Sequence, residues 1–141
     1  MNLVKIMNLV QKGRNFTFRP KIDTKDKIIF TAGLSAKKYF ELDFSVEVVV
    51  YNSGTAHVTY KFGQIDYDYD NLVKINNFNA ALPFHRAYIS EYDEKQYLFV
   101  QYSGSGTTNE KDTASAINYA IDEILAEKML KYLQPIVKKT Y

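Results

Sequence analysis

The chain has 141 residues, a hydrophobic content of 46% and a formal net charge of +2, a composition typical of a globular protein with a sizeable core. It has no cysteine, which excludes disulfides, thiolate chemistry and cysteine-ligated zinc sites. No stretch is apolar over the length that a membrane-spanning helix needs. We expect a single domain over residues 1–141 and, since the first residues lack the apolar core of a signal peptide, a cytoplasmic location.

The first third of the chain predicts a short helix and two strands. Residues 2–12 carry one helical stripe that Gly13 ends. Its apolar members are Leu3, Ile6, Met7 and Val10. Residues 15–20 form a candidate short strand, and Pro20, which cannot donate to a central ladder, limits it to an edge or a strand end. Residues 21–27 are a polar loop, and Lys27–Leu34 is a second strand.

Residues 38–63 carry the clearest alternating pattern in the chain. The even-numbered positions are apolar and the odd-numbered ones largely polar, which predicts a β-hairpin with a buried face and an exposed face. The exposed face reads as acidic, and no element remains in the sequence to cover it. The candidate partner-binding residues on this face are Tyr39, Glu41, Val49, Tyr51 and His57.

The hairpin loop sets the register of the two strands. Facing residues of an antiparallel pair project to the same side, so the loop must hold an odd number of residues. Residues 53–55, with Gly54 at positive φ, satisfy this condition and pair Val50 with Val58. The same register sets Glu47 opposite Lys61.

The second half of the chain predicts two helices around a second hairpin. Asp68 or Asp70 caps a helix that Pro83 ends. Residues 84–91 and 96–103 form the hairpin, and the two apolar faces of its second strand indicate a central or covered strand. Asn109–Lys139 is predicted as one long amphipathic helix whose Ile121, Ile124, Leu125 and Tyr132 face the sheet.

These elements define the fold class that we expect. Strands and helices are grouped rather than alternating regularly, which indicates an α+β protein. The expected architecture is a two-layer sandwich with a largely antiparallel sheet of about five to six strands. A short N-terminal helix, a middle helix and a long C-terminal helix pack on this sheet.

No motif with specific catalytic or ligand chemistry stands out. Asp66, Asp68 and Asp70 alternate as at the start of a calcium loop, but asparagines occupy the positions where an EF-hand needs glycine and glutamate. The Gly104–Gly106 segment lacks the further residues of a phosphate-binding loop. The two histidines match no zinc or nucleophile motif. We expect no catalytic, metal or cofactor residues and a protein that is not an enzyme.

The charges and the twelve tyrosines raise the question of nucleic-acid binding. Residues 1–38 carry nine basic and two acidic side chains, whereas residues 39–127 carry five basic and fourteen acidic ones. A basic segment suits nucleic acid or an acidic partner, although solvated faces are the plainer interpretation. The candidate nucleic-acid contacts are Lys12, Arg14, Arg19, Lys21, Lys25 and Lys27. The tyrosines stand among carboxylates in the sequence, which argues against a base-stacking platform.

The segment Asn71–Tyr102 resembles the YbjN-like proteins, which are described as bacterial sensory-transduction regulators and are related in fold to type III secretion chaperones. It has spaced asparagines in a helix, an LPF-x-R turn and a hairpin, and the predicted long C-terminal helix follows. The resemblance covers mainly residues 71–138. The matching residues are Asn76, Asn79, Leu82, Pro83, Phe84, Arg86, Leu98 and Val100. The resemblance implies a sandwich without catalysis that acts by binding other proteins, often as a dimer.

Three hypotheses about function follow. The first is a non-enzymatic, chaperone-like or regulatory module that binds another protein and forms a homodimer. The second is a nucleic-acid-binding protein that uses the basic N-terminal segment. The third is a small-ligand-binding protein with a pocket between the sheet and the C-terminal helix.

Overall fold

The computed structural model describes residues 1–35, 43–105 and 109–137, which form four helices and one six-stranded antiparallel sheet. The helices are α1 (Leu3–Gln11), α2 (Tyr69–Ala81), α3 (Glu110–Leu125) and α4 (Glu127–Leu133). The strands are β1 (Arg19–Asp23), β2 (Lys27–Leu34), β3 (Phe44–Tyr51), β4 (Thr55–Gln64), β5 (His85–Tyr92) and β6 (Lys95–Ser105). This is the α+β sandwich that the sequence predicts.

The strands follow the order β1-β2-β3-β4-β6-β5, and all neighbours are antiparallel. β1 to β4 form a meander, after which α2 leads to the hairpin of β5 and β6. β6 lies between β4 and β5, which confirms the central position predicted from its two apolar faces. β1 and β5 are the edges, and Pro20 on β1 fits the restriction of proline to edge strands.

One face of the sheet is packed against helices. The even-numbered residues of β3 and most of those of β4 are buried together with apolar residues of α1 and α3. Fully buried members of this core include Ile6, Val48, Val58, Ile117 and Ile121. Burying one such side chain contributes about 1.5–3 kcal/mol, so this shared core supplies most of the stability of the fold.

The register of the first hairpin differs from the predicted one by two residues. Val48 pairs with Val58, and Val50 pairs with Ala56. The loop is Asn52–Gly54, in which the Gly54 N–H donates to the Tyr51 carbonyl at 2.9 Å and Gly54 has φ of +94°. In three-residue loops of this kind, the residue with left-handed backbone conformation comes last. Gly54 is last in the observed loop, whereas it is in the middle of the predicted loop 53–55. An even shift preserves which residues are buried, so the predicted faces are confirmed for the described residues.

The first strand begins later than predicted. Residues 15–18 are not in the sheet, and β1 instead includes residues 21–23, which the sequence indicates as loop. The Gln11 side chain explains the difference. Its Nε2 donates to the Phe16 carbonyl at 2.7 Å and its Oε1 accepts from the Phe18 N–H at 2.6 Å. These bonds occupy backbone groups that a strand would use and bind the segment to α1.

The predicted long C-terminal helix is broken at Ala126, which adopts an extended conformation with φ of −60° and ψ of 138°. The prediction of one continuous helix is therefore wrong. At about 100° per residue, the buried stripe of α3 and that of α4 lie roughly 160° apart on one helical wheel. The α3 stripe includes Ile117, Ile121 and Ile124, and the α4 stripe comprises Met129, Leu130 and Leu133. Only a break allows both stripes to reach the core. It also leaves Tyr132, predicted to face the sheet, 37% exposed.

Candidate functional site

The second face of the sheet is not covered by any of the described helices. We call this side the open face. It carries the odd-numbered residues of β2, β3, β4 and β6 together with their neighbours on β1 and β5. Most of these side chains are partly exposed, including the apolar Ile29, Val49 and Phe99. A sheet with apolar side chains on its solvent side is a candidate interaction surface.

At the β5 end of the open face, two cations lie among four aromatic rings. The Lys61 Nζ is 3.9 Å from the ring centroid of Tyr92 and 4.3 Å from that of Tyr97. Tyr88 and Phe99 stack with centroids 5.6 Å apart, and the Arg86 guanidinium is 5.8 Å from the Tyr88 centroid. We call this cluster the aromatic patch. Its members are Lys61, Arg86, Tyr88, Tyr92, Tyr97 and Phe99.

The cross-strand register assembles the aromatic patch. Lys61 pairs with Phe99, and Phe99 pairs with Tyr88 on the other side of β6. Facing residues project to one side of a sheet, so these three side chains form a row. Sequence reasoning missed the patch because Lys61 is far from β5 and β6 in the chain. One signal in the sequence could have found it. The two apolar faces of β6 indicate a central strand, and a central strand must have a neighbouring strand on each side.

Three of the five predicted partner-binding residues lie together on the open face. Val49 pairs with Ile29 on one side and His57 on the other. The Tyr51 ring meets the His57 ring edge-on at 6.1 Å, and His57 Nδ1 is 2.9 Å from Ser103 Oγ. The other two, Tyr39 and Glu41, lie outside the described residues.

The open face is cationic rather than acidic. Within the hairpin alone, Glu47 and Asp43 outnumber Lys61, so its sequence predicts an acidic face. Pairing with β1, β2, β5 and β6 adds five more cations on the same side. Among the described residues, the six cations of the open face are Arg19, Lys21, Lys27, Lys61, Arg86 and Lys95. Glu47 itself pairs with Lys21 at 3.7 Å instead of the predicted Lys61.

The six basic residues proposed for nucleic-acid contact do not form one surface. Arg19, Lys21 and Lys27 belong to the open face. Lys12 follows the end of α1, and Lys25 lies between β1 and β2. Arg14 is 12% exposed and is occupied by contacts within the protein. Its two terminal nitrogens reach Asp122 Oδ1 at 2.5 Å and Asn118 Oδ1 at 2.8 Å.

His85 is buried between β5 and α3. Its Nε2 lies 3.3 Å from the Ala120 carbonyl oxygen, and its Nδ1 lies 3.8 Å from Glu123 Oε1. Burial lowers the pKa of His85 below 6.5, and this effect outweighs the carbonyl and the carboxylate, which act in the opposite direction. The arrangement ties α3 to the start of β5 with a neutral imidazole.

The other predicted features have local roles. The Asp68 carboxylate accepts from the Asn71 N–H at 2.8 Å and caps α2, and Asp70 pairs with Lys74 at 3.1 Å. Among the described residues, no group of three histidine, aspartate or glutamate side chains is placed to hold a metal ion. None of the described helices has both the length and the hydropathy to cross a membrane. Between β2 and the α3–α4 junction, the described residues leave a cleft where the third hypothesis puts a ligand.

No family model matches the chain, and no curated protein matches it. Among solved structures, it is similar to the crystal structure of YbjN, described as a putative transcription regulator from E. coli. The TM-score is 0.58 at 11% sequence identity, and the match covers 94% of this chain and 91% of YbjN. Identity this low shows the fold alone. The match extends beyond the segment that carries the sequence resemblance and includes the N-terminal half. The chain therefore has a YbjN-like fold.

Proposed function

We propose that the chain is a regulatory or chaperone-like module that acts by binding another protein, without catalysing a reaction itself. The open face is the binding surface. The observation that carries this proposal is the partial exposure of Ile29, Val49, Tyr88 and Phe99 on the side of the sheet that the described helices leave uncovered. Covering such side chains gives a favourable free energy of about 25 cal/mol per Å² of apolar surface, which a partner protein can supply.

The likeness to YbjN supports this proposal. YbjN is described as a putative transcription regulator, and a regulatory role requires binding to another molecule. We further propose that the protein works as a cytoplasmic homodimer, as the family resemblance implies. Size-exclusion chromatography with light scattering tests the dimer, and a mass of one chain at every concentration would contradict that part.

The open face is tested by capturing partners from a lysate of the native host. The bait is the full chain, compared with Val49→Glu on the open face and the matched control Val73→Glu on α2. Val73 is 39% exposed on the helical side, so both variants add the same charge at a partly exposed valine. We expect one protein that wild type and the control retain and the Val49 variant loses.

The captured protein is then purified and titrated against the chain by calorimetry. A defined complex that depends on Val49 supports the proposal. Circular dichroism of both variants verifies that they are folded. If no captured protein depends on Val49, the open face is not the binding surface and the proposal fails.

A further inference from the structure

We propose that the open face binds an acidic, extended polypeptide segment, whose carboxylates pair with Lys61 and Arg86 on the aromatic patch. This inference rests on the proposed function, because it names the chemistry of the partner that the open face accepts.

The charges of the open face are segregated from those of the rest of the described chain. Six described cations share the face with Glu47 and Asp43, although residues 39–127 are acidic overall. The other described carboxylates are at the start of α2, around the β5–β6 turn and on α3 and α4, as well as next to the β1–β2 turn. An acidic segment is therefore attracted to the open face and repelled by much of the remaining surface.

The two patch cations are held in place before any partner arrives. The Lys61 ammonium lies against two rings, and the Arg86 guanidinium lies near a third. A lysine on a bare surface loses rotamer freedom when it forms an ion pair, which cancels much of the gain. Contact with the rings restricts the side chain in advance, so less entropy is lost on binding.

The rings favour a polypeptide over single-stranded nucleic acid. Base stacking requires an open aromatic face. Lys61 lies against the faces of Tyr92 and Tyr97, while Tyr88 is stacked on Phe99. A nucleobase stacking on these ring faces would have to displace the contacts, whereas a carboxylate pairs with the cations and leaves the rings where they are.

The spacing of the cations suggests the form of the ligand. Lys61 and Arg86 lie on strands that flank β6, and Arg86 is two residues along β5 from the row of Lys61. With strands about 4.8 Å apart and about 3.3 Å per residue, their backbone positions are roughly 12 Å apart. Carboxylates four residues apart on one side of an extended chain are separated by about 13 Å, which matches this distance.

The test uses the full chain and three fluorescein-labelled probes in anisotropy titrations. The first probe is a peptide of four Glu-Ser-Thr-Val repeats, which places a carboxylate at every fourth residue. The second has lysine in place of each glutamate, and the third is an oligothymidylate of equal charge to the first. The protein variant is the double substitution Lys61→Gln and Arg86→Gln. The matched control is Lys111→Gln and Lys128→Gln, which removes two exposed cations from α3 and α4.

We expect the glutamate peptide to bind, the lysine peptide not to bind, and affinity for the glutamate peptide to fall as salt is raised. The Lys61 and Arg86 variant should bind the peptide roughly fivefold or more weakly, as the loss of close charge pairs does at other interfaces. The control should stay within about twofold, because its cations lie away from the open face. Lys61→Arg, which keeps the charge, should retain most of the affinity.

Three results overturn the inference. One is oligothymidylate binding more tightly than the glutamate peptide at the same salt, which assigns the surface to nucleic acid. Another is equal weakening by the variant and its control, and the third is no binding of the glutamate peptide. The proposed function fails separately. A native partner whose binding requires Val49 but not Lys61 and Arg86 would support the protein-binding function and contradict the inference of an acidic ligand.

Discussion

The side-chain amide of Asn79 on α2 makes two hydrogen bonds with the backbone of Ala87 on β5. Its Nδ2 donates to the Ala87 carbonyl oxygen at 3.1 Å, and its Oδ1 accepts from the Ala87 N–H at 2.7 Å. β5 is an edge strand of the described sheet, so its outward-facing N–H and carbonyl groups at Ala87 have no strand to pair with. The amide takes the place of such a strand, ties α2 to the sheet and closes this part of the edge to other chains.

Replacing Asn79 should therefore destabilise the protein. Asn79→Ala leaves the partly buried N–H and carbonyl of Ala87 without their partner, and we expect the free energy of unfolding to fall by about 1–3 kcal/mol. Urea denaturation measures the change. The control is Asn76→Ala, since Asn76 is exposed on the same helix and its replacement should change stability by about 0.5 kcal/mol or less. An equal change in unfolding free energy for the two substitutions would show that the Asn79 amide has no structural role.

Arg14 should be a stability residue that lysine cannot replace. Its planar guanidinium reaches Asp122 and Asn118 from two separate nitrogens, a fork that the single nitrogen of lysine does not reproduce. We expect Arg14→Lys to reduce the free energy of unfolding by about 1–2 kcal/mol, because one of the two α3 side chains loses its bond. The measurement is urea denaturation, with the neighbouring exposed Lys12→Gln as a control. An Arg14→Lys protein as stable as the control would show that the contact with α3 contributes little.

The buried His85 should make stability depend on pH. Its folded pKa is lowered from 6.5 by burial, so below pH 6.5 the unfolded chain takes up a proton that the folded chain resists. The free energy of unfolding should be highest above pH 6.5 and fall as the pH drops below it. For one group the slope is at most about 1.4 kcal/mol per pH unit.

Urea midpoints of wild type and His85→Leu, taken from about pH 7.5 to about pH 5.5, test this dependence. We expect the substitution to reduce the slope in this range. His57→Gln, which changes the other histidine, serves as the control for losing an imidazole on the open face. Wild type and His85→Leu following parallel curves would show that His85 does not titrate on unfolding in this range.

Removing the Tyr60 hydroxyl should not destabilise the protein. Tyr60 is 1% exposed, its side chain packs among Phe44 and Phe62, and its hydroxyl has no hydrogen-bond partner among the described residues. Burial raises the pKa of the phenol far above its usual range. Since Tyr60→Phe removes an unsatisfied polar group and keeps the ring, we expect an unfolding free energy that is unchanged or higher by about 1 kcal/mol. A clear loss of thermal stability would indicate that the hydroxyl is bonded in solution.

The alternating strands were predictable because their signal is local. The period-2 pattern from Phe44 to Val50 fixes which residues are buried whatever strand lies beside them. The pairing register was not predictable to the residue, because it depended on where Gly54 stands in the loop. No glycine or proline marks the helix break at Ala126. Only the different direction of the buried stripes of α3 and α4 on a helical wheel reveals it.

The aromatic patch and the charge of the open face were beyond the sequence analysis for a different reason. Tyr88 and Tyr97 stand near carboxylates in the chain, yet those carboxylates lie at the β5–β6 turn or on the opposite side of the hairpin. Lys61 joins the tyrosines only because β6 inserts between β4 and β5. Side-chain neighbours that come from distant strands require the strand order, which a single sequence does not state.

The position of β6 has a consequence for the way the chain folds during synthesis. β4 ends at Gln64, but its outer neighbour runs from Lys95 to Ser105 and leaves the ribosome much later. Until then the emerging meander exposes the long, unpaired backbone edge of β4, which can pair with other nascent chains. Folding of the sheet therefore ends with a non-local docking step, and such long-range closures are the slow ones in small domains.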